Sequence, residues 1–180
     1  INGLETPHWK EDIRVCVAGR CDSIRISKTE SAADVLAVEA EMKKAEEEFG
    51  VEHGSILIMA ALESCKGVMN AYEICTASPL LFGCALSGGD YTKDLQTKIT
   101  GTGVELMGAR QSMIIAARAA GKQCFDTVFT NLDDMEGFRK EVEMIKMMGF
   151  DGKSIVNPRQ IAVTHEVFTP TEKEIIFAEK

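Results

Sequence analysis

Two short apolar runs, ILIMAAL from Ile56 and LLFGCAL from Leu80, stand out from the mixed background of the chain, and each passes into polar residues that include a carboxylate, Glu63 and Asp90. A continuous apolar run that ends in polar residues predicts a strand buried on both faces of a parallel sheet. The segment between them, KGVMNAYEICTAS from Lys66, has helical spacing. The unit therefore reads as strand, crossover helix, parallel strand. A right-handed unit of this kind brings the C-terminal ends of both strands to the same edge of the sheet. Two carboxylates side by side at that edge suit a hard divalent cation such as Mg²⁺, which takes one or two carboxylates and leaves positions for substrate oxygens. Taken singly, an acidic residue after a buried strand more often caps the next helix or is simply solvated.

The same patterning organises the rest of the chain. Ile1-Asn2 reads as the tail of a strand already under way. A helix is predicted from Trp9 to about Ala18, closed by Gly19, and a β-branched strand over 22–27 that ends in Lys28-Thr29-Glu30. Ser31 caps a helix to about Phe49, with Val35, Val38, Met42 and Ala45 on one face. After Asp90 a polar loop is expected to about Gly103. Helices are predicted over 104–120 and 133–148, the second with Phe138, Val142, Ile145 and Met148 inward, and strands over 123–128 and 150–156. Asn157-Pro158 opens a short helix, and a further helix is expected over Thr169–Lys180. This is a βα repeat of about thirty residues per unit with no hairpin.

Parallel order admits a doubly wound sheet or a barrel, and the polar strand tails favour the barrel, where active-site residues come from several strand ends. The expected fold is therefore α/β, a (β/α)8 TIM-type barrel forming a single domain over 1–180. Because such a barrel takes roughly 250 residues, its first strands are expected to precede Ile1, with the chain starting near the end of the third.

Composition narrows the function. The 180 residues carry 28 acidic against 20 basic side chains, a net charge of −8, and no basic stripe of the kind that neutralises nucleic-acid phosphates. The six cysteines form no CxxC pair and read as small buried hydrophobes. No apolar run is long enough to span a membrane and no signal-peptide pattern is present, so the cytoplasm is the expected compartment.

The stretches INGLETP, DSIRISKTES, MAALES, ALSGGDY, GVELMGAR, CFDTVFTN and GFDGKSIVNPRQI, in this order, resemble the citrate lyase beta subunits, within the wider family of Mg²⁺-dependent aldolases and lyases that includes malyl-CoA lyases. The resemblance covers essentially the whole chain. It implies a trimer-forming barrel, with Mg²⁺ as cofactor, that cleaves a citryl-thioester to oxaloacetate and an acetyl-thioester during citrate fermentation. The thioester is carried on an acyl carrier protein or on CoA, and the partners are the citrate lyase alpha and acyl carrier subunits. The family's metal ligands carry over to Glu63 and Asp90, with Glu63 also against the substrate. The backbone N–H groups of Gly88 and Gly89 are placed by the resemblance on a substrate carboxylate, in a turn that can act as an anion nest. Where the family has Gly-Ala-Glu-Asp-Tyr, this chain has Ser87-Gly88-Gly89-Asp90-Tyr91, so Gly89 replaces an acidic residue. The family's substrate-gripping arginine is expected immediately before Ile1. Alternatives are a malyl-CoA or citramalyl-CoA lyase and a non-catalytic barrel subunit.

Other polar residues are weaker candidates. Lys28 suits either a substrate or phosphopantetheine contact or a surface salt bridge. Asp126-Thr127 fits hydrogen bonding inside the barrel better than chemistry. Ser154 and Asn157-Pro158-Arg159 match a family motif, yet Asn-Pro commonly just starts a helix. Met144, Met147 and Met148 are expected in core packing. His8, His53 and His165 fall on loops or outer helices, and no general base is assigned.

Overall fold

The computed structural model describes residues 1–179; the last residue of the predicted Thr169–Lys180 helix lies outside the described residues. The chain divides into two compact units, Ile1–Cys124 and Phe125–Lys180.

In the first unit, α1 (Trp9–Ala18), which precedes β1 (Ser23–Ile26) in the chain, packs on α2 (Ala32–Phe49), which follows it. Ile13 and Val17 of α1 and Val35, Val38 and Met42 of α2 are fully buried, as the helical spacing of apolar residues requires. Ser31 caps α2 through a reciprocal pair with Asp34, and Gly50 ends it in the left-handed conformation at φ 61°. β1 pairs in parallel with β2 (Leu57–Leu62), and β2 with β3 (Leu81–Leu86), Leu62 lying opposite Leu86. The parallel βα reading thus holds here.

Four details differ from the expected elements. β2 is not buried on both faces as its apolar run predicts, since Leu57 is exposed and Met59 half-buried; β1 buries Ile24 and Ile26 and leaves Ser23 and Arg25 exposed. The crossover is two short helices, α3 (Cys65–Met69) and α4 (Ala71–Thr76). They break at Asn70, whose side-chain N–H donates to the Glu30 carbonyl at 2.8 Å and so ties the break to the loop before α2. The glycine-rich turn is the first turn of a helix, α5 (Gly88–Asp94), so the polar loop expected after Asp90 starts after Asp94. The next helix opens with a 3₁₀ turn (Val104–Leu106) before α6 (Met107–Ala119).

The second unit pairs the end of β4 (Gln123–Asp126) in parallel with β5 (Gly152–Lys153), flanking α7 (Met135–Met148), and continues through α8 (Arg159–Phe168) and α9 (Glu172–Ala178). Phe138, Val142 and Ile145 are buried as the pattern predicts, but Met148 is only half-buried. Met147 is 82% exposed, so the methionine face is not core. No described helix is long and apolar enough to cross a membrane.

Candidate active site

The two carboxylates singled out by pattern come together at the C-terminal edge of the first unit's sheet. Glu63 directly follows β2. The ladder runs on past Leu86, because the Ser87 N–H donates to the Leu62 carbonyl at 3.0 Å. Ser87 Oγ then donates to Glu63 Oε1 at 3.3 Å and accepts from Arg25 Nη2 at 3.1 Å. Glu63 is thus steadied by a serine on the neighbouring strand end, itself held by an arginine from β1.

Asp90 is the third residue of α5, where the helix dipole favours a negative charge. Its carboxylate accepts from Lys93 Nζ at 2.7 Å. That hydrogen bond, with smaller help from the Lys28 charge and the Glu63 side chain, holds the Asp90 carboxyl below the usual carboxylate range; partial desolvation opposes it. Glu63 and Asp90 share one open cleft of about 550 Å³ with Glu5, Asp12 and Lys28. Across it, Lys28 Nζ lies 2.7 Å from Glu5 Oε1.

Gly88 is buried and Gly89 exposed. A Cβ placed on Gly89 would meet nothing within 4 Å, so the acidic side chain that the resemblance implies at this position has room.

The donor set fits a hard cation. The ionisable ligands that line the cleft are carboxylates, and among the described residues no cluster of three or more His, Cys, Asp or Glu gathers around one point. Two carboxylates with the remaining positions left to water and substrate are the usual protein share of a Mg²⁺ site.

The model of the HpcH/HpaI aldolase/citrate lyase family matches residues 1–158. The chain belongs to that family. The citrate lyase subunit beta of Leuconostoc mesenteroides subsp. cremoris is 51% identical over 175 residues, 97% of this chain and 58% of that protein. The chain therefore spans well under two thirds of the length of that relative. The crystal structure of RipC from Yersinia pestis superposes with a TM-score of 0.87 at 28% identity, covering 97% of this chain and 77% of that one. A citrate lyase beta subunit from Mycobacterium tuberculosis, complexed with oxaloacetate and magnesium, superposes at 0.78 and 24% identity over 94% of this chain and 71% of its own. The fold is accordingly the parallel α/β fold of this family's TIM-type barrels, of which the chain spans a part.

Other polar residues singled out in the sequence have partners of their own. Asp126 is fully buried and accepts from Lys153 Nζ at 2.8 Å, within a network that also takes in the Thr127 carbonyl and Glu141. His53 is engaged with the buried Glu46 at 2.6 Å. The pattern gave no sign of Glu5, Arg25 or Ser87 as members of the site. Glu5 lies in an irregular loop, and the Arg25–Ser87 contact skips over β2, so neither has a periodic signature.

Proposed function

We propose that this chain carries the metal and substrate site of a Mg²⁺-dependent carbon–carbon lyase that cleaves a citryl-thioester to oxaloacetate and an acetyl-thioester. The observation that supports it most is the convergence of Glu63 and Asp90 at adjacent parallel strand ends in one polar cleft, in a chain of this family.

Cleaving that bond requires loss of the substrate's hydroxyl proton and stabilisation of an enolate leaving group. Glu63 and Asp90 would hold the ion, which when bound supplies Lewis-acid polarisation of the hydroxyl and carboxylate oxygens. Ser87, backed by Arg25, fixes the orientation of Glu63. Lys93 favours the ionised form of Asp90. Gly88 and Gly89 are assigned to a substrate carboxylate through their backbone N–H groups. The thioester carrier is an acyl carrier protein or CoA. The working assembly is a cytoplasmic trimer with the alpha and acyl carrier subunits, a reading supported by the 51% identity to a citrate lyase subunit beta.

The test is cleavage of citryl-CoA, read as oxaloacetate release. Mg²⁺-dependent cleavage that chelator abolishes is expected, with Glu63→Gln lowering kcat/KM by about 10²–10³ and leaving the far-UV spectrum unchanged. Cleavage of malyl-CoA in its place would reassign the substrate; activity near that of the unmodified protein in Glu63→Gln at saturating Mg²⁺ would remove Glu63 from the ligand set.

A further inference from the structure

β1 leaves the sheet through a tight turn. Ile26 pairs with Ala60, and the next bond to β2 runs from the Thr29 N–H to the Ala61 carbonyl at 3.0 Å. Thr29 Oγ1 closes the turn on the Ile26 carbonyl at 3.1 Å. Ser27 and Lys28 are looped out of the ladder, and Lys28 is left with φ 52°. That left-handed region suits glycine or asparagine, and a lysine there is strained. Strain of this kind persists where the surroundings enforce it, and it concentrates at binding sites.

Here it places an ammonium over a cleft rich in carboxylates. Among the described residues lining that cleft, Lys28 carries the basic side chain, set against Glu5, Asp12, Glu63 and Asp90. Asp12 is already taken by Asn2, which donates its backbone N–H at 2.8 Å and its side-chain N–H at 2.7 Å. Glu5 folds back over Gly3, where a Cβ would collide with its carboxylate, and from there it reaches Lys28. Glu5 and Lys28 also line a neighbouring cleft of about 400 Å³ with Glu30, Ser31 and Lys66, so their ion pair stands between the two spaces. Both side chains are more than half exposed, at 57% and 53%. A pair so exposed opens at little cost.

With one substrate carboxylate taken by the ion and the Gly88 and Gly89 N–H groups, a second free carboxylate among these acidic groups needs a cation of its own. Resting on the function proposed above, we propose that Lys28 is a specificity-determining residue: its ammonium leaves Glu5 and binds the substrate carboxylate that does not reach the metal. The exchange replaces one carboxylate with another, so the ammonium remains paired throughout. Glu5 is its resting counter-ion.

Direct binding tests this with oxaloacetate, which has the second carboxylate, and pyruvate, which lacks it, each titrated calorimetrically into the Mg²⁺-loaded protein. Lys28→Asn removes the charge but keeps a residue that tolerates the turn. It is expected to unfold at the same or a higher temperature, to bind Mg²⁺ at least as well, and to lose about tenfold or more in oxaloacetate affinity with pyruvate unaffected. Glu5→Gln is expected to bind oxaloacetate as well as or better than the unmodified protein. Intact Mg²⁺ binding with unchanged oxaloacetate affinity in Lys28→Asn, or an equal loss for both ligands, would overturn the inference alone. Absence of Mg²⁺ binding in the unmodified protein would overturn the metal reading and this inference with it.

Discussion

Asp90 and Lys93 face each other one helical turn apart, and their exposed pair sets how the candidate metal site responds to pH. The lysine lowers the Asp90 pKa, so whatever the ionised carboxylate contributes is present above the ordinary aspartate value of about 3.9 and is lost only as pH falls through the lower folded value. Lys93→Gln should move the Asp90 titration upward, visible in its carboxyl ¹³C shift. At pH 7 the same change should tighten Mg²⁺ by about two- to fivefold, since it removes a screened positive charge from beside the ion. An unmoved Asp90 titration would show that the pair does not form in solution. The two carboxylates were legible in the sequence because a buried strand announces its own end. Glu5, Arg25 and Ser87 were not, because their roles depend on side chains reaching across loops and strands. Lys28 was visible as a strand-tail cation, but its positive φ and its pairing with Glu5 belong to the folded chain alone.

Among the elements, the crossover between β2 and β3 shows how closely the site is braced. Ser64 caps α3, accepting from the Gly67 N–H at 3.1 Å and donating to Glu30 at 2.7 Å, which fixes the chain one residue after Glu63. A Cβ on Gly67 would lie 2.6 Å from the Thr29 carbonyl, a backbone atom that cannot swing aside. Gly67→Ala should therefore destabilise the protein by about 1–3 kcal/mol and weaken Mg²⁺ binding by shifting Glu63; a chemical melt with an unchanged midpoint would contradict this. Helical spacing foretold the crossover but not its break, since Asn70 is held by a hydrogen bond to Glu30, distant in sequence. Gly88-Gly89, read in the sequence as a turn, forms a helix start, because the first turn of a helix tolerates residues that its interior does not.

For the molecule as a whole, periodicity carried the parallel α/β order while boundaries yielded to tertiary contacts. The strand expected over 150–156 is reduced to Gly152–Lys153. There Lys153, its side chain fully buried, donates to Asp126, the Thr127 carbonyl and Glu141. A lysine in a mixed run such as 150–156 gives no sign that it is buried until its acceptors are known. Replacing it by methionine would leave a buried carboxylate without this partner and should cost about 3–5 kcal/mol, measured by denaturant unfolding; a loss below about 1 kcal/mol would mean that water or another side chain replaces the ammonium. The central claim, that Glu63 and Asp90 together hold a divalent ion for substrate, is tested most directly by calorimetric titration of Mg²⁺ into the protein and into Glu63→Gln and Asp90→Asn. The account predicts a single Mg²⁺ site, tightened by oxaloacetate and weakened at least about tenfold by either substitution. An affinity left unchanged by both substitutions would contradict it.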